Sequence, residues 1–196
     1  MLRLVIRPSQ VWKRLGVPAA PADAAMQADF DEAYGRACAA IEPRYATARR
    51  RVVERDPRGV QFEGGVRFPS ADLAKLTAGA DAAYFLAVTV GEALDDLAHE
   101  YVGRGEIFRM TVADAVGSVA AEGLAARVHA DLKANAFEMG ESVSRRISPG
   151  FGDFGLENQP RVLDIAGGAA LGIRLTDNFM MVPRKSITAA VAVKTR

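Results

Sequence analysis

The sequence predicts an α+β fold with an antiparallel or mixed sheet and long helices, and three observations carry that reading. AAYFLAVTV at 82–90 is dense in β-formers, and SITAAVAV at 186–193 places Ile187, Ala189, Val191 and Val193 on one face. GVQFEGGVRF at 59–68 sets Val60, Phe62, Val66 and Phe68 around Gly64-Gly65, the pattern of a hairpin. Strands therefore lie before and after a helical middle without regular βαβ alternation, which excludes a doubly wound parallel sheet.

The elements follow in order along the chain. VWKRLGVP at 11–18 puts Val11, Trp12 and Leu15 on one side of a short helix that Gly16 and Pro18 end, and Pro21 with Asp23 opens the next. From Ala24 to about Val53, Met26, Phe30, Tyr34, Ala37 and Ile41 recur at helical intervals, so the stretch reads as an amphipathic helix kinked or divided at Pro43. Arg44, Arg49, Arg50, Arg51, Arg55 and Arg58 then read as its solvated C-terminal end. Ser70 caps a short helical turn, and Gly91 closes the buried strand at 82–90. Helices are expected at about 92–103 and 106–134, the second with Val112, Val116, Val119, Leu124, Val128 and Leu132 on its apolar face. RRISPGFGDFGLENQP is a loop by composition, QPRVLDIAGGAAL a short helix, and LGIRL, FMMVP and SITAAVAV are short strands.

Composition narrows the function classes. In 196 residues, 25 Lys and Arg face 24 Asp and Glu, which leaves a charge of +1 and no global field for nucleic acid or an anionic membrane. Only Tyr45 accompanies the arginine cluster for base stacking, so nucleic acid is not an expected partner. One cysteine, Cys38, and two histidines, His99 and His129, exclude a disulfide framework and a Cys/His zinc cluster, and Cys38 reads as a packed thiol. With no apolar run long enough to span a bilayer and no signal-peptide pattern at the start, one cytoplasmic domain covering 1–196 is expected.

Few constellations carry chemistry. Gly150 to Gly155 match G-x-G-x-x-G, but Pro149 precedes them and no amphipathic helix follows directly, so the phosphate-binding geometry of a dinucleotide fold is not expected. Asp95 and His99 at i,i+4 offer two ligands to a metal ion, against a plainer reading as a solvated acidic helix face with Glu92, Asp96 and Glu100. His129, between Val128 and Ala130, reads as a surface or boundary residue. The segment Arg145-Arg146-Ile147-Ser148-Pro149-Gly150-Phe151 is better equipped. Arg146 can fork onto a carboxylate, Pro149-Gly150 makes a tight turn that exposes backbone groups, and Phe151 can cover a flat ring. The same residue types also fit an internal ion pair, a connecting turn and a core aromatic, and they leave both readings open.

At this segment the chain resembles the S-adenosylmethionine-binding activation, or reactivation, domain of cobalamin-dependent methionine synthase, and its short stand-alone relatives in corrinoid methyltransferase systems. The likeness runs in order through VWKRLG at 11–16, GADAAYFLAVTVG at 79–91, ADAVGSVAAEGLAARV at 113–128, RRISPGF at 145–151 and LGIRLTDNFMMVPRKSITAA at 171–190. The resemblance implies a helmet-shaped α+β domain that caps a corrinoid-carrying module. It would bind S-adenosylmethionine as methyl donor while a flavodoxin-type or other reductase supplies the electron. Cobalamin would arrive on a partner, a corrinoid-binding protein or methyltransferase, and no catalytic side chain is implied. By the same resemblance Arg146 would hold the methionine carboxylate, Ser148 and Gly150 would offer backbone groups, Phe151 would line the adenosine site and Glu122 would stand nearby.

The chain also departs from that pattern. Phe151 stands where the family usually has tyrosine, a loss of one hydroxyl hydrogen bond worth about 0.5–1.5 kcal/mol. Val191 stands where the last strand carries another tyrosine, and an acidic contact near the N-terminus is not recognisable. These losses frame the alternative function, a corrinoid-protein-binding scaffold without S-adenosylmethionine binding.

Overall fold

The computed structural model describes residues 4–17 and 23–196. Pro18 and Pro21, expected to punctuate the first two helices, lie outside them. Helices α1 (Pro8–Arg14) and α2 (Ala24–Ala39) come first, and Asp23 caps α2 by accepting from the N–H groups of Ala25 and Met26. The strand β1 (Arg44–Asp56) follows, then β2 (Gly59–Phe62), β3 (Arg67–Phe68), α3 (Ala71–Leu76) and β4 (Ala82–Thr89). The middle is α4 (Ala93–Gly103) and the 32-residue α5 (Ile107–Glu138), and the last third holds β5 (Glu141–Ile147), α6 (Gln159–Ala166), β6 (Arg174–Leu175), β7 (Met181–Val182) and β8 (Ser186–Thr195).

Six strands form one sheet in the order β3-β2-β1-β4-β8-β5, with every pairing antiparallel, and β6 and β7 form a separate ribbon. The expected α+β class is the observed one. The period of two along β4 and β8 sends alternate side chains to two cores. Leu86, Val88, Ala189 and Val191 face a helical layer built from α1, α2 and α5, where Trp12 stacks on Phe30 at 4.0 Å. Ala83, Phe85, Ala87 and Ala190 face the other way, onto α6 and an aromatic cluster in which Phe62 and Phe154 meet their neighbours edge-on. Gly117 lets α5 approach its neighbours, since a Cβ there would lie 2.9 Å from Lys185 Cγ and 3.2 Å from Leu94 Cδ1.

The helix expected from Ala24 to about Val53 is wrong in its second half. Ala40 ends α2, and Arg44–Asp56 is the longest strand, paired with β4 from Arg44 opposite Thr89 to Arg51 opposite Ala82. Pro43 cannot continue the helix, and partnership with the buried β4 outweighs an arginine-rich composition that hides strand periodicity. The arginines are therefore not a helix end. Arg49 forks onto Glu141 and passes over the Tyr84 ring, Arg51 meets Glu63, and Arg55 donates to the Thr77 carbonyl. The segment from Arg145 is also not all loop, because β5 runs through Ile147.

The expected loop also ends sooner than Pro160, because a 3-10 turn at Leu156–Asn158 begins directly after Gly155 and leads into α6; other local expectations hold. The Gly64-Gly65 turn joins β2 to β3, Ser70 accepts from the Leu73 N–H at the start of α3, and α6 ends on Gly167. Burial pushes the Cys38 thiol up, as suits a packed side chain. No helix among the described residues is long and apolar enough to cross a membrane.

Candidate functional site

Four of the five sequence-predicted site residues meet at one open cleft of about 410 Å³. Glu122 and His129 supply its α5 wall, Arg145, Arg146 and Ile147 its β5 wall, Ser148 and Phe151 the loop, and Ile187 the start of β8. Gly150 lies in the turn between Ser148 and Phe151. Glu122 and His129 are seven residues apart, two turns of helix, so both present to the same side of α5. That spacing was a legible signal that His129 belongs to the site.

Arg146 carries the main electrostatic feature. It stands opposite Val191 on β8, and its Nη2 lies 3.4 Å from Glu122 Oε2. A charge-assisted bond is usually about 2.7–2.9 Å, and Glu122 is 64% exposed, so this internal pair is loose. The other terminal nitrogen, Nη1, is buried with no hydrogen-bond partner among the described residues. A buried guanidinium nitrogen normally has a partner, and the described residues supply none to this one. Val191 is fully buried beneath it and adds packing without a polar group.

The loop after β5 is fixed in a specific shape. Phe151 N–H donates to the Ser148 carbonyl at 3.3 Å with Gly150 at φ +91°, a turn that needs glycine at its third position. Gly150 N–H donates to the Phe154 carbonyl at 2.7 Å, and the Phe154 ring is buried against Phe68. Phe151 is 69% exposed, so it is not a core aromatic. Its ring is free to lie against a flat ligand at the cleft edge. At Gly152, with φ +59°, a side chain would be strained and its Cβ would push the Asp72 carboxylate aside.

Asp153 pins the loop tip. Its carboxylate accepts from the Ser70 hydroxyl at 2.6 Å and from the N–H groups of Ala71 and Asp72 at 2.6 and 3.0 Å, the open end of α3. The Ser70 hydroxyl, followed by the Asp72 N–H, holds its carboxyl below the usual aspartate range. A depressed pKa means that this anchoring is complete above the ordinary aspartate value, about 3.9, and is lost as pH falls through the lower folded value. Asp153→Ala is expected to speed amide exchange at Gly150 and Phe154 at neutral pH, and the difference from the unmodified protein should close in strong acid. Equal exchange at pH 7 would contradict this anchoring.

The remaining candidates are occupied elsewhere. Asp95 accepts from the Arg184 N–H at 2.8 Å, and Glu92 pairs with Arg174 at 3.0 Å. Among the described residues no group of three His, Cys, Asp or Glu side chains is placed to hold a metal ion. The glycine pattern at 150–155 belongs to the pinned loop: a tight turn after β5 opens it, and the helical segment from Leu156 into α6 follows it. A second cavity of about 550 Å³ is lined by Pro149, the exposed Phe179 and Met180, and Arg184 and Lys185. Lys185 is tied to α5 through Asp114 at 2.6 Å and Ser118 at 2.9 Å.

No family model matches the sequence, and no curated protein does. A solved structure does: the MetH reactivation domain bound to AdoHcy superposes with a TM-score of 0.62 at 16% identity. The chain has the fold of that reactivation domain. The match covers 86% of this chain and 65% of the MetH structure, so it spans less than two thirds of that protein's length.

Proposed function

We propose that this protein binds S-adenosylmethionine in the cleft between α5 and β5 and presents it to a corrinoid protein, as an accessory of a corrinoid-dependent methyltransferase system. The observation that carries the reading is the buried, unpartnered Nη1 of Arg146 at the edge of an open cleft. A fold seen elsewhere with AdoHcy supports it. The methionine carboxylate is the acceptor that this nitrogen lacks, and a planar guanidinium suits it because two parallel donors fix the carboxylate's orientation.

The residues divide the work by chemistry. Arg146 takes the carboxylate and releases its loose hold on Glu122, which then faces the ligand's donors. The Ser148–Gly150 turn offers backbone groups, and Phe151 covers the adenine face. The protein contributes position and no nucleophile, with the sulfonium methyl held for in-line transfer. A corrinoid on the partner, reduced by an external one-electron donor, would supply the nucleophile for that methyl group, with S-adenosylhomocysteine as the leaving group. Exposed Met180 and Phe179 line the second cavity and form an apolar edge, and on this reading the corrinoid carrier would dock against it.

The departures at Phe151 and Val191 favour a second reading, a scaffold that docks the corrinoid protein without the methyl donor. The two separate in a reconstitution. Purified protein, S-adenosylmethionine and a low-potential reductant are added to a cobalamin methyltransferase that lacks its own activation domain and rests as cob(II)alamin. Recovery of the methylcobalamin absorption spectrum, dependent on both protein and S-adenosylmethionine, is the expected result. Binding of the two proteins without recovery would favour the scaffold.

A further inference from the structure

The strand that carries Arg146 is irregular at one point. From Val143 to Arg146 β5 advances three residues while β8 moves two, from Val193 to Val191, so β5 holds one extra residue. Side chains on a strand alternate between faces, and one extra residue reverses that alternation. Without it, Arg145 would stand opposite Val191. With it, Arg146 takes that position and meets Glu122, while Arg145 is exposed.

Two side chains hold the bulge. The buried Ala192 N–H points at β5 and finds the Ser144 hydroxyl oxygen at 2.9 Å in place of a ladder carbonyl. The hydroxyl donates onward to the Arg145 carbonyl at 2.7 Å. The Ser144 carbonyl, turned out of the ladder, lies 2.8 Å from His129 Nε2. A carbonyl can only accept, so Nε2 carries the proton.

We propose that His129 is a positioning residue for Arg146. Through Nε2–H it holds the Ser144 carbonyl out of the sheet and so maintains the bulge that puts Arg146, not Arg145, opposite Val191 and against Glu122, while Arg145 reaches the cleft only at its exposed rim. The inference rests on the S-adenosyl ligand reading for its effect on binding, and on hydrogen bonding alone for its effect on the strand.

The test uses S-adenosylhomocysteine titrated into the full chain and into His129→Leu, His129→Gln and His129→Asn. Glutamine ends in an N–H group near the place of Nε2, whereas asparagine falls short of it. His129→Leu and His129→Asn are expected to bind on the order of tenfold more weakly. His129→Gln should stay within about threefold of the unmodified protein. On an Arg146→Ala background the His129 change should add no further loss, because residues that act through one another are not additive. The ligand-free readout is amide exchange, where Ala192 should exchange faster in His129→Leu and His129→Asn but not in His129→Gln, with Phe85 and Leu86 unchanged. Unaltered Ala192 exchange in both disrupted variants overturns the proposal, as does a loss in His129→Gln equal to that in His129→Leu. If the unmodified protein takes up no ligand while Ala192 responds as expected, the bulge assignment stands and the ligand reading fails.

Discussion

Arg146→Ala is expected to cost S-adenosylhomocysteine binding about 1.4–2.8 kcal/mol, a ten- to hundredfold rise in Kd, while leaving the fold as stable as before within about 1 kcal/mol. The two halves of this expectation have one cause. The Nη1 nitrogen is buried without a partner and the bond to Glu122 is long, so the free protein gains little from the side chain and the ligand gains much. A structural arginine would give the opposite result, with a lower melting temperature and unchanged affinity. Arg146→Lys should recover only part of the binding, because an ammonium offers a point charge where the site offers a fork. Calorimetry with the melting curve of each variant reads both quantities.

Phe154→Ala is expected to lower stability by about 3–5 kcal/mol, and the melting temperature by roughly 10 °C. Phe154 is fully buried, meets Phe68 edge-on at 5.6 Å, and its backbone bonds both Gly150 and Phe151. It is the plug by which the binding loop is fastened to the aromatic core. Truncation therefore also frees Phe151, and binding should weaken even at temperatures where the variant is folded. Phe85→Ala makes the contrast: it should lose comparable stability from the same cluster but keep its affinity once folded, since Phe85 has no bond to the loop. Equal affinities in the folded variants would sever the link from core to loop.

What the sequence discloses about this fold depends on how local the physics is. β4 and β8 are legible because both are apolar enough to be strands wherever they pair, and the Gly64-Gly65 turn and the Ser70 cap are decided within a few residues. β1 is not legible, because its arginines hide the period of two and its strand identity comes from β4, more than thirty residues away. β5 is masked by the proline and glycines that follow it.

The site divides in the same way. Arg146, Ser148, Gly150 and Phe151 are adjacent in the chain, and Glu122 entered through a resemblance in the α5 segment; the cleft brings Glu122 against Arg146. His129 had a signal in its seven-residue distance from Glu122. Asp153, held by Ser70 and α3, and the Ser144 bulge had none, since each is defined by a hydrogen bond to a distant element.

The central claim is that the cleft between α5 and β5 takes an S-adenosyl ligand, and calorimetric titration of the full chain with S-adenosylmethionine tests it most directly. The account predicts one site per chain with a Kd in the micromolar range, competed by S-adenosylhomocysteine and weakened ten- to hundredfold in Arg146→Ala. Absence of heat at millimolar ligand, with the protein folded by circular dichroism and at more than one temperature, would contradict it.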